Sequence, residues 1–203
     1  ISKQEENQVK RYFELSIIFV MCLSVSICFG IMGVSDEFVP LFYGNGYEQC
    51  KILFKILMPS CIFLAFANVI RTQFLIPNKE DKVYIKSVIY GAIVNLGINI
   101  LLIPKFNSTG AAIGTFLAEF VVCVAQIIMV KNKIKNLKKY ILESIPLVLG
   151  GIIMYFVLEL IPKNSINNFV ILSEKIIFGA ILYIVFSIVY IRYLCKKKIL
   201  ILE

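Results

Sequence analysis

Apolar residues in this chain gather into six blocks, at residues 14–34, 52–70, 83–103, 110–130, 141–161 and 171–194, each bounded by charge or by turn formers. A helix rising about 1.5 Å per residue needs roughly 20 apolar residues to cross the hydrocarbon layer, so each block predicts one transmembrane helix. The breaks between blocks carry Gly44-Asn45-Gly46, Pro77-Asn78, Pro104 with Asn107-Ser108, and Pro162 with Asn164. These residues stop helices and make turns. The connections leave no room for a soluble domain, and the reading is a single six-helix, all-α membrane unit over 1–203. The first block is too long for the apolar part of a cleavable signal.

Composition agrees with that pattern. Of 203 residues, 59% are hydrophobic and 17% charged, against roughly 45–50% and about 25% in soluble domains. Histidine is absent, which removes the usual imidazole bases and zinc ligands and argues against an enzyme. Cys22, Cys28, Cys50, Cys61, Cys123 and Cys195 form no C-x-x-C pair. The expectation is therefore no metal and no cofactor.

Lys and Arg alternate between the non-membrane segments. Lys3, Lys10, Arg11, Arg71, Lys79, Lys82, Lys131, Lys133, Lys135, Lys138, Lys139, Arg192, Lys196, Lys197 and Lys198 fall on one side, with Lys51, Lys105 and Lys163 on the other. The positive-inside rule makes the first side cytoplasmic and puts both termini there. The net charge of +8 is thereby explained by topology and anionic headgroups, without nucleic acid as a partner. The Lys131–Lys139 run is a topology signal on a solvated face, with a cytoplasmic docking surface as the alternative. The chain opens at Ile1 on a charged approach to a span and reads as part of something longer.

Polar residues inside the blocks are few and ordered. Ser87, Gly91, Asn95 and Asn99 recur every fourth residue on one face of the third span; they either hydrogen-bond another helix or line a wet cavity. Gly110, Gly114 and Ala118 form a small-residue series suited to close helix packing. Thr115, Glu119, Cys123 and Gln126 make a second stripe, and Glu119 lies near mid-span, where a carboxyl must face protein or water. Glu119 either exchanges protons or a cation, or sits neutral and hydrogen-bonded to a neighbour such as Asn95. Lys55, Lys86, Glu143, Glu159, Glu174 and Lys175 fall near span ends and read as boundary residues. Arg71 closes the second span, as an interface anchor or as a fork for phosphate. Pro59, and Pro146 with Gly150-Gly151, invite bends.

The run Arg71-Thr-Gln-Phe-Leu-Ile-Pro-Asn-Lys-Glu-Asp-Lys82, continuing through Ser87, Gly91 and Asn95 to Ile103-Pro104 and Gly110-Ala-Ala-Ile-Gly-Thr-Phe-Leu-Ala-Glu119, resembles the bacterial O-antigen or repeat-unit flippases of polysaccharide biosynthesis. Phe38-Val-Pro-Leu-Phe-Tyr-Gly-Asn-Gly-Tyr47 is similar to their segment between the first two helices of the second half. The likeness is clearest over about 38–126. These transporters belong to the multidrug, oligosaccharidyl-lipid and polysaccharide exporter superfamily, with two six-helix lobes around a central cavity. The resemblance implies the C-terminal lobe of a bacterial cytoplasmic-membrane protein whose N-terminal six-helix lobe is its partner. It also implies alternating-access transport of an undecaprenyl-diphosphate-linked oligosaccharide, with polymerase machinery as a further partner.

In that setting Arg71 and Lys86 would attract the diphosphate. Asn95, Asn99, Thr115 and Gln126 would line the sugar path, and Glu119 would couple to an ion. The few basic residues in the interior depart from what an anionic cargo asks for. A multidrug exporter of the same superfamily and a non-transporting membrane scaffold of polysaccharide assembly are the competing readings.

The orientation is directly testable. With Asn132→Cys in a cysteine-free background, a membrane-impermeant maleimide is expected to label only permeabilised cells; labelling of intact cells would reverse the topology.

Overall fold

The computed structural model describes residues 3–162 and 167–202, with side chains described over 8–162 and 167–196. Lys163 and Asn164 of the fifth connection lie outside the described residues, as do the side chains of Lys3, Lys197 and Lys198. The chain forms α1 (Lys3–Phe42), α2 (Gln49–Leu57), α3 (Ser60–Ile70), a π-helical turn (Arg71–Leu75), α4 (Asp81–Phe106), α5 (Ser108–Val130), α6 (Leu137–Glu159) and α7 (Asn168–Leu202). Among the described residues six stretches are long and apolar enough to cross a membrane: Gln8–Phe42, Gln49–Leu75, Asp81–Phe106, Ser108–Val130, Leu137–Glu159 and Asn168–Lys196. The six-span, all-helical expectation holds.

Boundaries differ in an informative way. The first helix runs 40 residues, about 60 Å at 1.5 Å per residue, and so carries Asp36 and Glu37 inside the helix beyond the expected end at 34. The second span is broken at Met58-Pro59 into α2 and α3, because proline has no N–H to donate and its ring crowds the preceding turn. Ser60 Oγ donates to the Leu57 carbonyl at 2.6 Å in that break. Pro146, by contrast, lies inside an uninterrupted α6. The glycines that follow it serve packing: a Cβ on Gly151 would lie 2.4 Å from Val25 Cγ1 of α1, and one on Gly150 would lie 2.3 Å from Phe186 of α7.

The long first helix is the hub, touching α2, α3, α6 and α7. Its buried face carries Ile17, Met21, Val25, Cys28 and Val39. The α4 helix is peripheral, contacting α5 and the π turn, and it leaves Ile93, Leu96, Ile100 and Leu101 exposed. Such a surface suits hydrocarbon rather than water.

Successive spans run antiparallel, and cross-links at the two ends establish it. At one end, Gln73 Nε2 donates to Ser16 Oγ at 2.6 Å, Lys133 pairs with Glu80, Lys139 lies 3.5 Å from Glu14, and Tyr190 Oη donates to the Glu143 carbonyl. At the other end, Gln49 meets Thr109 and Lys55 pairs with Glu159 at 3.1 Å and with Asp36 at 3.7 Å. The basic segments 71–82 and 131–139 therefore share one end of the bundle.

The tightest seam is α4 on α5. A Cβ on Gly110 would fall 2.5 Å from the Leu102 carbonyl oxygen, and one on Gly114 would fall 2.3 Å from Asn99 Oδ1. Gly110→Ala is expected to destabilise the protein by about 1–3 kcal/mol through overpacking. Gly97 has open space around it, so Gly97→Ala is expected to be close to neutral. Thermal unfolding of the detergent-solubilised protein distinguishes them, and equal midpoints would contradict the close contact.

Candidate functional site

Two polar regions in the spans hold the polar residues singled out above, and they have different characters. The first is the α4–α5 seam. Asn99 Nδ2 donates to Asn95 Oδ1 at 2.8 Å, Ser87 Oγ donates to the Tyr84 carbonyl at 2.7 Å, and Gln126 Nε2 donates across to Ser87 Oγ at 3.1 Å. Gln126 is 1% exposed. Between these pairs a Cβ on Gly91 would lie 3.2 Å from the Ala118 carbonyl oxygen. The four-residue stripe of α4 is thus turned onto α5, where lipid cannot satisfy its polar atoms but another helix can.

The second stripe emerges from this seam toward the opposite end of α5. Gln126 is enclosed, Glu119 is half-buried, and Thr115 is exposed with its hydroxyl on the Ala111 carbonyl at 3.1 Å. Glu119 has no hydrogen-bond or ion-pair partner among the described residues. The neighbour envisaged for it, Asn95, uses its side-chain oxygen to accept from Asn99 instead.

The second polar region surrounds the π turn. Arg71 begins this turn and is half-buried, with its guanidinium carbon 4.5 Å from the centre of the Tyr84 ring. Asn68, Thr72 and Gln73 are exposed around it. Among the described residues no acid pairs with Arg71 and none of its guanidinium N–H donors is hydrogen-bonded, while its backbone N–H donates to the carbonyls of Ala67 and Asn68. A π turn takes one residue more than an α turn, and such turns gather at functional positions. Lys86 does not join this cluster: it stands two residues beyond Tyr84, about 200° around the helix, and is exposed.

A buried ion pair was not legible as a site in the sequence. Lys175 Nζ of α7 lies 2.9 Å from Glu37 Oε1 of α1, with the two side chains 2% and 3% exposed. Gly33 carbonyl oxygen lies 3.5 Å from the same ammonium. The boundary reading of Lys175 is corrected by this burial. It fails because α1 continues past residue 34 and carries Glu37 to where α7 passes. Lys175 also borders an apolar cavity of about 640 Å³ between α1, α6 and α7, with Ile27, Val34, Met154 and Tyr183 in its wall. The available clue was two opposite charges placed just beyond the end of one block and just inside the start of another.

Residues 1–178 match the lipid II flippase MurJ family. The chain belongs to that family. Flippases are transporters rather than enzymes. Over 195 residues the chain is 24% identical to a probable low-salt glycan biosynthesis flippase of Haloferax volcanii, covering 93% of this chain and 40% of that protein. It is 28% identical over 165 residues to an uncharacterized membrane protein of Methanocaldococcus jannaschii, covering 80% of this chain and 32% of the relative. The chain thus spans well under half the length of these curated relatives. No solved structure matches it.

Removing one member of a buried pair strands the other charge, whereas removing both removes the problem. Glu37→Gln and Lys175→Met are each expected to cost about 3–5 kcal/mol, and the double substitution less than either. Thermal unfolding of the three variants checks this; additive losses would show that the two residues act separately.

Proposed function

We propose that the chain is the C-terminal lobe of a flippase that carries an undecaprenyl-diphosphate-linked oligosaccharide across a bacterial cytoplasmic membrane by alternating access. The observation that carries the reading is Arg71: a half-buried guanidinium in a π turn, at the end of the bundle richest in Lys and Arg, with no acid of the described residues pairing with it. A fixed cation without an internal counter-ion at a membrane boundary attracts an external anion, and the planar fork of Arg suits the oxygens of a diphosphate. The family match and the glycan-flippase relative support a lipid-linked glycan as the cargo.

In this reading Arg71 meets the diphosphate and Lys86, exposed on another side of α4, adds long-range attraction. Thr115 is the stripe residue most available to sugar hydroxyls, since it is exposed. Asn95 and Asn99, bonded to each other on α4, line the path, and Gln126 holds α5 to α4 through Ser87 beside it. Glu119, half-buried and without a described partner, is the group to exchange a proton or bind a cation as the lobes rock. The absent N-terminal lobe supplies the other wall, and polysaccharide polymerases take the product on the far side.

Reconstituted into vesicles, the full-length protein is expected to move a lipid-linked oligosaccharide between leaflets, with Arg71→Ala and Glu119→Gln each lowering the rate at least about tenfold at normal protein levels. Efflux of cationic drugs without glycan movement would favour the multidrug reading. Unchanged flipping by both variants would return Arg71 and Glu119 to structural roles.

A further inference from the structure

The backbone of Arg71 is held on several sides, and its guanidinium lies over one aromatic ring. The Arg71 carbonyl accepts from Ile76 N at 2.9 Å and the Leu75 carbonyl accepts from Glu80 N at 2.9 Å, which closes the π turn and the turn after it. Thr72 Oγ1 donates to the Asn68 carbonyl at 2.8 Å and Gln73 Nε2 to Ser16 Oγ of α1. These bonds locate the Cα of Arg71. They leave the four torsions of its side chain free, and a flexible cation loses rotamer entropy when it must hold one pose.

We propose that Tyr84 is the positioning residue for Arg71, its ring parking the guanidinium in the pose that receives the diphosphate of a lipid-linked glycan. The inference rests on the phosphate reading of Arg71 and goes beyond it by assigning the residue that orients the fork. A cation over a ring is held by the ring's quadrupole and needs no hydrogen-bond acceptor. The five N–H donors of Arg71, none of them hydrogen-bonded among the described residues, are therefore not committed to a protein group. A carboxylate in the same place would neutralise the cation and compete with phosphate; a ring does neither.

The ring is itself well located. Tyr84 sits one turn into α4 and is half-buried, and its carbonyl accepts from Ser87 Oγ, the hydroxyl that Gln126 also holds. The α4–α5 seam thus reaches Arg71 through the placement of one aromatic side chain. Because the contact is with the ring face, the phenol hydroxyl is dispensable.

The test uses the full-length protein in detergent, titrated with farnesyl diphosphate as the probe and farnesol as the uncharged control, with affinity read by calorimetry. Arg71→Ala is expected to abolish the preference for the diphosphate. Tyr84→Leu and Tyr84→Met, which remove the ring, are expected to weaken binding about 2- to 30-fold, while Tyr84→Phe stays within about twofold of the parent. Tyr84→Leu added to Arg71→Ala is expected to have no further effect. If Arg71→Ala binds as the parent does, the phosphate reading falls and the inference with it. If Arg71→Ala weakens binding but both ring-less variants bind normally, or Tyr84→Phe is as weak as they are, the positioning role alone is overturned.

Discussion

The bundle depends on the packing of its first helix. Lipid tails are as apolar as the side chains they surround, so helices in a membrane associate through close fit and through polar groups that have nowhere else to go. The α1 helix uses both devices. The glycine at 151 admits Val25 and Phe29 into van der Waals contact with α6. Glu37 holds Lys175 of α7 in a site nearly closed to solvent. With α2 and α3 also resting on α1, the hub fixes five of the seven helices, and α5 with α4 attach through α3 and α2.

The same rule explains why the two polar regions differ. In the α4–α5 seam four polar side chains are bonded to one another: Asn99 to Asn95 along α4, and Gln126 of α5 to Ser87 of α4. The Ser87–Gln126 bond ties α4 to α5, the Asn95–Asn99 bond stays within α4, and Asn99 Oδ1 and Gln126 Oε1 keep no hydrogen-bond partner among the described residues. Arg71 kept its donors because it met an aromatic ring rather than an acid. A cation resting on a ring keeps its donors uncommitted, whereas an amide bonded to its neighbour has spent one of them.

Charge at the two ends of the bundle is handled in different ways. At the end holding segments 71–82 and 131–139, Lys133 reaches Glu80 just before α4, and Lys139 reaches Glu14 of α1 and Glu143 of its own helix, both lysines remaining substantially exposed. Partly exposed pairs of this kind contribute little stability and leave a basic surface toward headgroups. At the opposite end Lys55 bridges Glu159 and Asp36 at the interface, and Lys175 is taken fully inside. A buried pair is costly to break on one side only, so the α1–α7 contact tolerates loss of one partner far less than a surface bridge does.

Six spans, their alternation and the close packing at Gly110 and Gly114 were readable from the chain because they depend on local quantities: block length, loop charge and residue size at four-residue spacing. The glycan-flippase likeness was readable for a similar reason, since its motifs are contiguous. Partners were not. Whether the Asn stripe faced a cavity or a helix, which of Pro59 and Pro146 interrupted its helix, and that Gly150-Gly151 admitted neighbours rather than a bend all depend on what lies opposite. Glu37 and Lys175 stand 138 residues apart, and Arg71 meets Tyr84 across the bend that joins two spans. A charge's neighbour in space carries no mark in the order of residues, so burial and pairing were set when the helices came together.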